Sequence, residues 1–308
     1  MILCVGVAAD PTFLAGLHAV RAAGLDHEAV DLPSLALRGS VRIPLDDLAS
    51  ATIDTGRRVI RLGEAGAVWC RLLDVSAHAP APRHAHAAAG HYQAFLRLFE
   101  HLPVRVMNRP LREATGFTKV LHAVALAAVG GWQVPRTCLT SDPEEARAFV
   151  ADCPRGAVFK GASAAKTFAR AYEAGDEARL DRLGRVPVLF QERITGPDVR
   201  VHTVGDRAFG EAIHSPEIDY RTVVGVNDYR PVTLPESVVR GCARLTAHTG
   251  TPLLGVDFKV DAATGEWYFL EANAMPCFEG YDRRAGGAIT RAMAHWLAGP
   301  SDPPPVTP

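Results

Sequence analysis

The sequence has no block of like charge, no paired cysteine motif and no apolar run of membrane length, and each absence removes a class of function. Lys and Arg number 33 against 34 Asp and Glu, so there is no electrostatic footprint for nucleic acid or an anionic membrane. The six cysteines, Cys4, Cys70, Cys138, Cys153, Cys242 and Cys277, are scattered without a CxxC pair. That argues against a zinc site or a disulfide framework and for reduced, buried thiols; packing is the role expected even of Cys277. The apolar stretch Val120 to Val129 contains His122 and stops at Gly130-Gly131, far short of a membrane span. Met1 to Val7 has no basic region ahead of its apolar residues, so it reads as a first strand rather than a signal peptide. No internal repeat is present, and a cytoplasmic location is the expectation.

What is there is the composition of a packed soluble protein: 308 residues, 48% hydrophobic and 22% charged. That length exceeds what one hydrophobic core serves, so two or three lobes are expected. Ile2 to Val7 reads as a strand, Phe13 to Ala23 as a helix ended by Gly24, and Val59-Ile60 and Ala67 to Cys70 as short strands, together an α/β lobe. Between Ala77 and Gly90 the chain is mostly Ala, Pro and His, with His78, His84 and His86 close together; it reads as a linker or solvated helix start rather than a metal site.

From His101 the organisation repeats. Val104 to Met107 is a predicted strand and Gly116 to Val129 a predicted helix, with Pro135 as the next strand entry. Asp142, Pro143 and Glu145 suit the N-cap, N1 and N3 positions of a helix. Strands follow at Ala157 to Lys160, Val186 to Arg193, Val199 to Val204 and Ala208 to His214, the last three read as an antiparallel sheet. Ser237 to Thr249 is an amphipathic helix, and Gly299 to Pro305 reads as a disordered tail. The expected divisions are 1–102, 103–185, 186–298 and a tail 299–308.

The strongest local signal is Val256-Asp257-Phe258-Lys259-Val260, a turn through Gly265, then Trp267 to Asn273, a hairpin. With the turn centred on Thr264, Asp257 lies opposite Glu271 at a cross-strand Cβ separation of roughly 5 Å, and Asn273 shares their face. The other face collects Val256, Phe258, Val260, Tyr268, Leu270 and Ala272, a core-facing set. Two adjacent carboxylates repel unless a cation lies between them or one is protonated. Asp257, Glu271 and the Asn273 amide oxygen suit Mg²⁺ bound together with substrate phosphates; an exposed face whose acids merely align is the alternative. Lys160 ends a strand ahead of Gly161-Ala162-Ser163-Ala164-Ala165, whose backbone can approach phosphate oxygens, and Lys119 sits inside an earlier helix.

In this order and spacing the chain from Asn108 to Ala298 resembles the ATP-grasp superfamily. The specific parts are Gln191-Glu192, Asp198-Val199-Arg200, Asp257 and Glu271-Ala272-Asn273. Within that superfamily it is similar to RimK-like ligases that add glutamate to a ribosomal protein, through Glu271 to Pro276 and Glu279-Gly280. It is also similar to the microviridin-type macrocyclases of graspetide peptides, through Trp69-Cys70-Arg71, Asp219-Tyr220-Arg221 and Leu234-Pro235. Departures are the single glycine, Gly161, in the phosphate loop, where Lys166 is the residue to compensate, and the continuation Ala274-Met275-Pro276.

The resemblance implies a three-lobe ATP-grasp fold of α/β (α+β) class. ATP would lie between the two C-terminal lobes and the acceptor toward the N-terminal lobe. Lys119 and Lys160 would hold the phosphates, the backbone of Gln191, Glu192, Arg193 and Ile194 the adenine, and Asp198 the ribose. Arg200 and Arg221 would face the reacting centre as fork-shaped donors, and Asp257, Glu271 and Asn273 would ligate Mg²⁺ or Mn²⁺. The implied activity is an ADP-forming carboxylate–amine ligase working through an acyl phosphate, on a peptide or amino-acid-derived substrate. A kinase-like phosphotransferase and a catalytically silent nucleotide-binding scaffold are the alternatives. A homodimer is the default assembly.

Overall fold

The computed structural model describes residues 1–110, 119–162, 167–223 and 225–299, without the side chains of 119–121 and 185. The predicted helix start at Gly116, the run from Ser163 to Lys166, the Lys119 side chain and the tail beyond Gly299 lie outside that description. Described residues of 1–114, 249–253 and 274–308 form one compact unit, and those of 115–248 and 254–273 another.

In the first unit, β1 (Ile2–Gly6) leads through helix α1 (Pro11–Ala22) to β2 (His27–Asp31) and helix α2 (Leu32–Arg38). A small antiparallel sheet of β3 (Ser40–Arg42), β4 (Thr52–Asp54) and β5 (Val59–Arg61) follows. Then come β6 (Ala67–Cys70), helix α3 (Pro82–His101) and β7 (Arg105–Met107). The main sheet runs β2-β1-β6-β7 with each pair parallel. β1 and β6 are buried along their whole length, as unbroken apolar strands of a parallel sheet covered on both faces should be. Asp10 starts α1 by accepting from the Thr12 backbone N–H at 2.9 Å, with Pro11 in the first turn. From Pro82 onward the histidine-rich stretch is the first half of α3.

The second unit opens with helix α4 (Lys119–Gly130), β8 (Thr137–Thr140), helix α5 (Pro143–Ala151), β9 (Ala157–Gly161), β10 (Arg170–Ala171) and β11 (Val188–Glu192). These strands form an antiparallel sheet, β10-β9-β11-β8. A second sheet, β14-β13-β12-β15-β16, holds β12 (Asp198–Val204), β13 (Arg207–His214), β14 (Asp228–Pro231), β15 (Leu253–Val260) and β16 (Trp267–Asn273), with helix α6 (Glu236–Thr249) entering β15.

The expectation that β11, β12 and β13 share one sheet is therefore corrected. The chain changes sheets at Gly196, whose φ is +144° and where an added Cβ would lie 2.0 Å from the Val260 carbonyl oxygen. Only glycine fits that approach. Asp142 does cap α5, accepting from the Glu144 N–H at 2.9 Å. Glu145 does not complete a capping box; it accepts from the buried Thr140 hydroxyl at 2.6 Å, an interior group that needs an acceptor.

The chain ends in helices α7 (Glu279–Arg284) and α8 (Ala288–Ala298), the latter packed on α1. The segment before α7 is held by two buried side chains of its own unit. Asn108, left-handed at φ +35°, a region Asn tolerates better than most residues, donates its amide to the carbonyls of Leu253 (2.6 Å) and Ala274 and accepts from the Leu253 N–H at 3.0 Å. Arg71 donates to Asp10 at 2.5 Å, to the Met275 and Pro276 carbonyls and to the Cys277 sulfur. Trp69 is buried beside Phe278, so Trp69-x-Arg71 is a structural tie. Cys277 is exposed rather than packed, whereas Cys4, Cys70, Cys153 and Cys242 are buried as expected, and all six cysteines are free. Among the described residues no helix is long and apolar enough to cross a membrane.

Candidate active site

β12, β15 and β16 are neighbours in the five-stranded sheet, and side chains two apart on a strand share a face. One face carries Asp198 and Arg200 from β12, Asp257 and Lys259 from β15, and Glu271 and Asn273 from β16. The predicted register holds at its functional end: Gly255 pairs with Asn273, Val256 with Ala272 and Asp257 with Glu271. A bulge between Asp257 and Phe258 then shifts the pairing, so Phe258 faces Phe269 and Lys259 faces Tyr268.

That extra residue corrects the expected core set. Val256, Phe258 and Phe269 are fully buried, while Tyr268, Leu270 and Ala272 are only partly so. Phe258 and Phe269 pack with Trp132, whose ring centroid is 5.0 and 5.3 Å from theirs. This aromatic layer backs the charged face.

On that face the charges alternate across the two strands. Lys259 Nζ is 2.9 Å from Asp198 Oδ2, and Arg200 Nη1 is 2.6 Å from Asp257 Oδ2. Gly255 makes room for Arg200: a Cβ there would lie 2.2 Å from the guanidinium. The Asn273 amide nitrogen donates to both acids, at 3.3 Å to Asp257 and 3.2 Å to Glu271. Turned over, the same amide would present its oxygen to that point. Two carboxylates and a reversible amide converging on one point fit a hard divalent cation.

Burial pushes the Asp257 carboxyl up to about 6, with Arg200 opposing and the neighbouring Glu271 adding to the rise. Burial also raises Asp198, partly offset by Lys259. Arg221 is gripped by Asp219 through Nε (2.7 Å) and Nη2 (2.6 Å), and lies over the Phe168 ring. Burial would raise Asp219, but the bonds from Arg221 and from the Ala169 N–H outweigh it and hold the carboxyl below its ordinary value. Lys160 is half-buried on β9, beside Leu189 of β11.

Beside the charged face lies a cleft of about 230 Å³ within the second unit. Gln191, Glu192, Arg193, Ile194 and Asp198 all line it, as do Lys259 and Leu270. The structure thus brings the Gln191 to Ile194 run together with Asp198 in one cavity, and Arg200 together with Asp257, Glu271 and Asn273. Lys259 and Gly255 were not read as site residues in the sequence, and Leu270, expected in the core, lines the cleft instead. The signal for Lys259 was available: it stands two residues from Asp257, as Asp198 stands two residues from Arg200, which is the spacing of paired charges on adjacent strands.

No protein-family model matches the chain, and no curated protein matches it in sequence. Solved structures do. A Chryseobacterium gregarium RiPP-associated ATP-grasp ligase, solved with ADP and a leader and core peptide, is similar at 19% identity and TM-score 0.83, over 99% of each chain. The macrocyclase MdnC from Microcystis aeruginosa MRC, solved with its precursor peptide MdnA, is 20% identical at TM-score 0.80, over 96% of this chain and 98% of that one. The ATP-grasp ligase PsnB, solved with a minimal precursor, Mg and ADP, is 26% identical at TM-score 0.77, over 97% and 98%. Likeness at this level over nearly the whole length means that the chain has the ATP-grasp fold.

Proposed function

We propose that this chain is an ATP-dependent, ADP-forming ligase that joins a carboxylate to an amine through an acyl phosphate, on a peptide or amino-acid-derived substrate. The observation that carries the reading is the convergence of Asp257, Glu271 and Asn273 at one end of a registered hairpin, beside the cleft lined by Gln191 to Ile194 and Asp198. The peptide component rests on PsnB, 26% identical and solved with a minimal precursor, Mg and ADP. The lobes 103–185 and 186–298 hold the nucleotide in this reading; the assembly is a homodimer in the cytoplasm.

Each residue has a role set by its chemistry. The Glu192 and Arg193 N–H groups already bond the carbonyls of Arg136 and Gly156, so within that run the base takes its hydrogen bond from Ile194. Asp198 accepts from the ribose, and Lys119 and Lys160 hold the phosphates. Asp257, Glu271 and Asn273 hold Mg²⁺, which when bound neutralises charge on the transferred group. Arg200, fixed against Asp257, and Arg221, whose Nη1 is uncommitted among the described residues, orient the substrate carboxylate and steady the mixed anhydride.

The test is product analysis. With a carboxylate substrate the products are ADP and phosphate, and added hydroxylamine yields a hydroxamate. A stable phosphorylated product without hydroxamate means a kinase, AMP with pyrophosphate overturns the acyl-phosphate route, and no turnover leaves a nucleotide-binding scaffold.

A further inference from the structure

We infer that Lys259 contacts the ribose directly, so that Lys259 and Asp198 divide the two ribose hydroxyls between them and select ribonucleotides over deoxyribonucleotides. This rests on the nucleotide reading above.

The Lys259 ammonium and the Asp198 carboxylate meet at 2.9 Å, with side chains 17% and 15% exposed, and both residues line the same 230 Å³ cleft. Their mutual bond uses Asp198 Oδ2 and one ammonium hydrogen. That leaves an acceptor, Oδ1, and two further donors on Nζ. A vicinal diol is the complement of such a pair, because one hydroxyl donates to the carboxylate while its neighbour accepts from the ammonium. Arg200 is held by Asp257 and Arg221 by Asp219; Arg193 also lines the cleft, but Lys259 is the cation that touches Asp198. A lysine that only neutralised Asp198 would occupy the same place, because Asp198 itself lines the cleft, but the two roles make different predictions. A site built to bond a hydroxyl rejects the analogue lacking it, because its own polar group is left unpaired. A neutralising charge treats all nucleotides alike.

The experiment is calorimetric titration of the full chain with ADP, 2′-deoxy-ADP and 3′-deoxy-ADP in the presence of Mg²⁺, for wild type, Lys259→Met and Lys259→Arg. Wild type is expected to bind each deoxy analogue about tenfold more weakly than ADP. In Lys259→Met the penalty for one analogue should fall to within about twofold while the other survives, and Lys259→Arg, which keeps a charged donor, should restore part of the lost penalty. Equal weakening of all three nucleotides, with wild-type ratios intact, overturns the inference and leaves the nucleotide site standing. Failure of wild type to bind ADP overturns the nucleotide site itself. If Lys259→Met does not fold, as judged by circular dichroism, Lys259→Gln reads the same ratios.

Discussion

Two buried Arg–Asp pairs sit in the two units of this protein, at nearly the same separation: Arg71 with Asp10 at 2.5 Å and Arg200 with Asp257 at 2.6 Å. Their surroundings make them different devices. Arg71 spends its other donors on the carbonyls of Met275 and Pro276 and on the Cys277 sulfur. Those partners belong to the folded chain, and the pair closes on itself as a tie. Asp257 faces Glu271 across the hairpin, and burial lifts its carboxyl to about 6 in spite of Arg200. An acid so placed is relieved either by a proton or by a cation held between it and Glu271. The distance within a buried pair therefore says little about its role; what the remaining atoms touch decides it.

The comparison can be broken most sharply at Glu271. Glu271→Ala should cut ATP turnover by roughly a thousandfold while leaving the melting temperature unchanged or higher, because one of two crowded acids is gone. Coupled ADP-release assays with circular dichroism melts would check both halves, and near-normal turnover would defeat the cation reading of the second pair. Arg71→Met should do the reverse for the fold. It strands Asp10 and frees two carbonyls, costing about 3–5 kcal/mol in urea unfolding, and undiminished stability would remove the distinction between tie and site. Asp198→Asn should raise the KM for ATP about tenfold, the size of one charged hydrogen bond, with kcat nearly unchanged, since ribose contacts are made equally in ground and transition states; an effect confined to kcat in steady-state kinetics would place Asp198 elsewhere.

The smallest effect concerns Asp219, a third pairing that is partly open to solvent. Its folded-state carboxyl lies below the ordinary value of 3.8, so it contributes stability above that value and loses it as the pH falls through the lower one. Asp219→Asn should cost no more than about 1 kcal/mol at pH 7, screened because Arg221 is over a third exposed. Thermal melts should show that gap constant from pH 7 to 5 and closing below 3.8; a gap that widens in acid would reverse the sign of the coupling.

Much of the site was legible because its residues lie close in sequence on one hairpin. Period-two alternation and a glycine turn were enough to place Asp257 opposite Glu271 and Asn273 beside them. The bulge after Asp257 was not legible, since Trp267 to Leu270 is an unbroken apolar run that does not mark where an extra residue interrupts the alternation on β16; hence Phe269 took the core place expected of Leu270. The assignment of β11 to a different sheet from β12 was hidden for a similar reason, because Gly196-Pro197 marks a break without saying where the chain goes next. Arg71 illustrates the third kind of miss. Three of its partners, Met275, Pro276 and Cys277, lie more than 200 residues away in sequence, and local pattern carries no information over that span.

By itself, then, the sequence determined many of the strands and helices, among them β1, α1, β6, β12 and α6, the hairpin that gathers two acids and an amide, and the run from Gln191 to Asp198, because backbone preference and side-chain alternation act over a few residues. Tertiary structure alone decided that Lys259 meets Asp198, that Arg200 rests over Gly255 against Asp257, and that Arg71 and Asn108 hold the segment after Asn273. Those pairings depend on which strands become neighbours and in what register, and burial then sets their strength by stripping away the water that would otherwise screen each charge.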